Sequence, residues 1–178
     1  MRVFLIFSCL VMMCCCTRKS AQLPSNKELG NPTQMDMMTY NKMCIEAENK
    51  EIQTFLDSSS VKFTKADAGY WYKIVNTNNG TKVSGVVTIY GTVQVLGGEP
   101  CYELGVRSEE LGVNTLTLRL GKRDHTKVLD LALVDAKVGD EIWILSPSSL
   151  AYGIKGITDC ITSRTPVLYK IKVLKTNE

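Results

Sequence analysis

Two hydrophobic rhythms alternate along this chain. In residues 86–96, Val87, Ile89, Gly91, Val93 and Val95 share one parity and Tyr90 falls on the other, before a break at Gly97-Gly98. A period of two over that length predicts a strand with one buried face. Leu116, Leu118 and Leu120 alternate with Thr115, Thr117 and Arg119, predicting a second strand whose leucine face meets the core. Residues 69–75 predict another, ended by the turn-forming stretch 76–80. The rhythm then changes. Leu129, Ala132, Leu133 and Ala136 recur at i, i+3, i+4 and i+7, the stripe of an amphipathic helix. Residues 37–56 are rich in helix formers, with Met38, Ile45, Ile52 and Leu56 able to share a face, and Asp57-Ser58-Ser59-Ser60 ends them. That face is expected to pack on the domain; the alternative is a dock for another protein. The expected fold class is α+β, a curved antiparallel β-sheet wrapped on a short helix, with an N-terminal helical extension.

Ahead of these elements, residues 3–16 are apolar after Arg2 and end in Cys14-Cys15-Cys16. The run is shorter than the roughly 20 apolar residues that span a bilayer, and it has the layout of a bacterial secretory signal. A cysteine cluster closing such a leader resembles a lipoprotein signal, in which the cysteine at the cleavage point carries the lipid. Cys16, Cys15 and Cys14 are the candidates; an ordinary cleaved signal or a short buried helix is the alternative. The organisation expected is a signal over residues 1–16, a flexible tether over 17–35, an N-terminal helix over 36–60 and one domain over 61–178. A length of 178 residues fits one well-cored domain better than two.

Charge and composition mainly exclude. With 21 Lys and Arg against 18 Asp and Glu, and no basic stripe interleaved with aromatics, no nucleic-acid partner is implied. His125 is the sole histidine and the cysteines past the leader, Cys44, Cys101 and Cys160, lack metal-ligand spacing, which argues against a zinc cluster or a Ser-His-Asp triad. No metal and no cofactor is expected.

The last third of the chain carries the most specific pattern. Leu120-Gly121, a helical segment over 125–136, Val138-Gly139-Asp140, an apolar strand over 142–145, Pro147, Leu150-Ala151-Tyr152-Gly153, a flap loop to Ile161 and a closing strand over 167–174 follow in order. This succession resembles the FK506-binding-protein (FKBP) family of peptidyl-prolyl isomerases, over residues 118–174. The leader, N-terminal helix and residues 97–105 together are similar to lipoprotein isomerases associated with gliding motility in Bacteroidetes.

The resemblance implies site residues one at a time. Tyr152 takes the place of the tyrosine whose hydroxyl bonds a substrate carbonyl, Tyr90 that of a wall tyrosine on the long strand, and Tyr102-Glu103 that of a Phe-Asp pair, with the register open by one residue. Thr126 matches the residue whose backbone N–H receives a ligand carbonyl, with His125 beside it on the wall. Leu118 stands at a core-strand position usually aromatic, Ile161 at a flap position, and Tyr169 at the final-strand aromatic. Leu129 replaces the tryptophan that floors the pocket in the best-known members. Ile157 replaces a polar flap residue and Cys160 an aliphatic one. The resemblance also places Cys101 and Cys160 at the pocket rim, where they could form a disulfide. For each aromatic a packing role is the competing reading; for Tyr152 it is a loop anchor, and for His125 a plain exposed histidine.

The function implied is peptidyl-prolyl cis-trans isomerisation of proline-containing client polypeptides folding in the bacterial envelope, with the enzyme held to the membrane by its lipid anchor. The rival is a non-catalytic peptide-binding or chaperone lipoprotein on the same fold, motivated by Leu129 and the altered flap. A structural subunit that docks through the N-terminal helix is the third reading.

Overall fold

The computed structural model describes residues 34–177 apart from 78 and 158. The signal expected over 1–16, including Cys14, Cys15 and Cys16, lies outside the described residues. So does the tether, except for its last two positions, which open a helix. The elements are α1 (Gln34–Ser58), β1 (Thr64–Lys65), β2 (Trp71–Asn76), β3 (Val86–Val95), β4 (Pro100–Glu103), β5 (Val106–Arg107), β6 (Asn114–Arg119), α2 (Lys127–Leu133), β7 (Glu141–Ser146), a single 3-10 turn (Ser148–Leu150) and β8 (Val167–Asn177).

The strands form one antiparallel sheet in the order β1-β2-β7-β8-β3-β6-β5, with β4 also pairing β3. Its spine is β3 against β8, paired from Val86 opposite Asn177 to Val95 opposite Val167 with one register shift between Thr88 and Ile89. One face of that spine carries Val87, Ile89 and Val93 from β3 and Tyr169, Ile171 and Val173 from β8, all buried. Across this face lies α2, which buries Val128, Leu129 and Leu133. A seven-residue helix has little stability of its own. Burial of each such side chain contributes ~1.5–3 kcal/mol, so packing on the sheet holds α2 in place. The turn that returns the chain to β7 depends on Gly139, at φ 92°, and on Asp140, whose carboxylate accepts the Lys137 N–H at 2.9 Å.

On the opposite face, α1 covers a second, smaller core. From Tyr40 onward α1 belongs to the same unit as the sheet. Ile52, only 1% exposed, packs with Phe55 and Leu56 against Leu145, Leu168, Trp71, Trp143, Phe63 and Leu96. The face expected through Ile45 is corrected here: Ile45 is 53% exposed. The stripe that meets the domain is Asn41, Glu48, Ile52 and Phe55, at helical spacing but polar in its first half.

Candidate active site

Tyr152 is the centre of an aromatic cluster at one end of α2. It follows the 3-10 turn after Pro147, which is closed by Ala151 N–H to Ser148 O (3.0 Å) and Gly153 N–H to Ser148 O (2.8 Å). Gly153 takes φ 63°, a conformation that a side chain resists, and so turns the chain into the flap with Tyr152 facing the sheet. Around its ring stand Tyr102 at 6.4 Å and 68°, His125 at 6.3 Å and 86°, and Tyr169 at 6.3 Å and 30° between centroids and planes. These spacings are those of favourable offset and edge-to-face aromatic pairs. Tyr102 comes from β4 opposite Val93, Tyr169 from β8 opposite the same residue, and His125 from the loop before α2.

The hydroxyls form a chain. Tyr102 and Tyr152 are hydrogen-bonded through their hydroxyls, the Tyr152 hydroxyl also interacts with that of Tyr169, and Tyr169 donates to Thr126 Oγ1 at 3.1 Å. Burial, foremost, holds the phenols of Tyr102, Tyr152 and Tyr169 above their ordinary range, so all three stay protonated at any physiological pH. Burial likewise pushes the His125 imidazole down, toward the neutral form, and its Nδ1 is buried with no partner. The Thr126 backbone N–H, just before the first turn of α2, meets no acceptor among the described residues. The cluster therefore holds, among the described residues, two polar groups without partners beside an aromatic wall.

Leu129 and Leu118 belong to the fully packed layer beneath, as does Ile161 at the end of the flap. Ile157 starts the flap hairpin, donating its N–H to Ile161 O at 3.0 Å, but its side chain is 54% exposed. Just before that hairpin Gly156 has φ 68°, and a Cβ there would lie 2.4 Å from Ile161 O, so no other residue fits without moving the flap backbone. Cys101 and Cys160 are joined as a disulfide with Cα atoms 5.8 Å apart, tying the residue before Tyr102 to the residue before Ile161.

Solved structures share this fold. Similar ones include a peptidyl-prolyl cis-trans isomerase from Pseudomonas syringae pv. tomato, with a TM-score of 0.61 at 18% identity over 77% of this chain and 96% of that one. AtFKBP13 gives 0.57 at 17% over 66% and 100%, and FkpA from Escherichia coli gives 0.59 at 20% over 79% and 63%. The fold is that of the FKBP-type isomerases. No family model matches the chain, and no curated protein matches its sequence.

Within the FKBP fold two expected site residues fall on the wrong side of the sheet. Tyr90 is 37% exposed and lines a shallow depression with Trp143, Lys170 and Lys172 on the outer face. Its neighbours Ile89 and Gly91 point inward, so the parity of β3 excludes it from the tyrosine cluster. Glu103 pairs with Thr92, an outward position, and is exposed, whereas Tyr102 pairs with inward Val93. Of the residues expected, the structure brings together Tyr102, His125, Thr126, Tyr152 and Tyr169, with Leu118, Leu129 and Ile161 in the packing that supports them. Glu48 was absent from the expectation. Its carboxylate accepts from both the backbone N–H and Oγ of Ser148, the Oγ contact being 2.9 Å, and so fixes the turn that carries Tyr152. At the far end of the flap, Arg164 donates to Asn41 Oδ1 at 2.6 Å and lies 6.0 Å from the Tyr40 ring. These grips span about a hundred residues of sequence and leave no local pattern to read.

Proposed function

We propose that this chain is an FKBP-type peptidyl-prolyl cis-trans isomerase, acting on proline-containing polypeptides in the bacterial envelope from a lipid anchor at Cys16, Cys15 or Cys14. The observation that carries the reading is the enclosure of Tyr152 by Tyr102, His125 and Tyr169 next to the Thr126 N–H, which meets no acceptor among the described residues. Rotation about an X-Pro bond meets a barrier of ~18–20 kcal/mol because it breaks the resonance of a planar, dipolar amide. The twisted amide is less dipolar, so an aromatic, water-poor wall favours it over the planar ground state. Thr126 N–H would hold a neighbouring carbonyl so that the peptide turns about one bond only. With Tyr102 as the donor in the Tyr102–Tyr152 bond, the Tyr152 proton is directed toward Tyr169. A small rotation of that O–H would transfer it to a substrate carbonyl without moving a heavy atom. No proton leaves the enzyme in such a cycle.

The Tyr102–Tyr152 hydroxyl bond also favours one rival. Were Tyr152 the donor to Tyr102, its proton would be held in that bond rather than turned toward Tyr169, and the cleft would bind peptide without turnover. A proline-limited refolding assay separates the two. Tyr152→Phe is expected to lower kcat/KM about five- to tenfold, the worth of one hydrogen bond of ~1–1.5 kcal/mol, and Tyr102→Phe to lower it by less. Acceleration on Tyr102→Phe, or no activity in the unaltered protein alongside measurable peptide binding, would establish the binding-only reading. The narrower likeness to gliding-motility lipoproteins is supported by the leader and the N-terminal helix, and palmitate labelling that is lost when Cys14, Cys15 and Cys16 are replaced would test the anchor.

A further inference from the structure

Helix α1 grips the loop that carries Tyr152 at two points, and both grips converge on one residue. Gly153, next to Tyr152, donates its N–H to Ser148 O at 2.8 Å and accepts the Arg164 N–H on its own carbonyl at 2.9 Å. Ser148 is held by Glu48. Arg164 is held by Asn41, whose Oδ1 accepts from the guanidinium at 2.6 Å, and it lies 6.0 Å from the Tyr40 ring. Asn41 and Glu48 stand two turns apart on one helix face, roughly 10 Å along the axis at ~1.5 Å per residue. A single helix therefore sets the distance between the two supports of Gly153. That helix is itself seated by the burial of Ile52 with Phe55 and Leu56. Arg164 is also unusual in its backbone: with φ at 57°, it is one of two non-glycine residues in the left-handed region among the described residues. Glycine or asparagine adopts that conformation at less cost, and a larger residue persists in it only where its surroundings hold it. For Arg164 the holding contacts are those to Asn41 and Tyr40.

We propose that Arg164 is a positioning residue for the reaction, one that passes the placement of α1 through Gly153 to Tyr152 and so aims the Tyr152 hydroxyl; this rests on the isomerase reading given above. The test follows isomerisation of an X-Pro tetrapeptide by the full chain. Arg164→Asn keeps the backbone N–H to Gly153 and suits the left-handed turn, but removes the grip on α1. The urea midpoint should change little, while kcat falls about threefold with KM nearly constant, the low end of the coupling between groups in one network. Asn41→Ala should reproduce the loss from the other side of the contact. Arg164→Lys, whose ammonium can still reach Asn41 and Tyr40, should keep most of the rate. In a Tyr152→Phe background the Arg164→Asn loss should disappear, because the hydroxyl it aims is gone. A loss of the same size in that background, or a rate unchanged by both Arg164→Asn and Asn41→Ala, would overturn the proposal. Were the unaltered protein inactive, the isomerase reading would fall on its own, and spectra of 13C-labelled tyrosine rings would decide the positioning: a Tyr152 signal displaced by both substitutions upholds it, and one unmoved by either overturns it.

Discussion

Replacing Glu48 with alanine strands two donors on Ser148, its backbone N–H and its Oγ–H, in a residue that is 5% exposed. Hydrogen bonds to a charged acceptor contribute ~1.5–3 kcal/mol each, and a buried donor left alone costs ~1–3 kcal/mol. Glu48 is itself half-buried, so water screens part of the interaction and can reach part of the vacancy. The expected loss is thus about 2–3 kcal/mol for Glu48→Ala and about 1 kcal/mol for Glu48→Gln, which keeps one acceptor. Urea denaturation measures both. Ser148→Ala removes the Oγ–H and keeps the N–H, so a double-mutant cycle with Glu48→Ala should show a coupling of about 1 kcal/mol. Because Tyr152 lies just past this turn, refolding catalysis should fall with Glu48→Ala although Glu48 touches no substrate group. A Glu48→Ala variant within 0.5 kcal/mol of the parent, the usual span of an uninvolved surface change, would refute the idea that α1 fixes the turn.

Two other outcomes follow from contacts already described. Cys160→Ser opens a disulfide that closes a loop with a sequence separation of 59; chain-entropy reasoning gives about 4 kcal/mol as the full effect, and thermal unfolding should reveal a loss of roughly 2–4 kcal/mol, with an unchanged Tm counting against the bridge. His125 is held below its ordinary pKa of ~6.5 by burial, so the unfolded chain takes up a proton before the folded one does, and stability should be complete above about pH 6.5 and fall as the pH drops below it. Asp124 and Glu141, held low by hydrogen bonds from Arg119 and Lys172, contribute their own losses only in the more acidic carboxylate range. Urea midpoints between pH 5.5 and 8 should therefore slope in the parent and flatten in His125→Leu; superimposable slopes would exclude His125 as the source.

The parts of the fold legible in the sequence were those set by neighbours in the chain. The alternation in β3 and β6, the stripe of α2 and the Val138-Gly139-Asp140 turn each encode their structure within a few residues, and α2 fell where Leu129, Ala132 and Leu133 placed it. Tyr90 is the instructive error. Its parity already set it against Val87, Ile89 and Val93, and the resemblance overrode a physical constraint that the strand then enforced. Glu103 shows the same parity logic one strand over. The short strands β4 and β5 carry too few residues to show a period, and the polar half of the α1 stripe carries no hydrophobic signal. Glu48–Ser148 and Asn41–Arg164 arise only when distant segments meet.

The position of β8 has a consequence for how the molecule is made. Inserted between β7 and β3, it is the strand that joins the two halves of the sheet, so until residues 167–177 dock the folding chain holds two unjoined ribbons with open edges. Completion of the core then waits on this one strand, and any factor that shields those edges does so before β8 is in place.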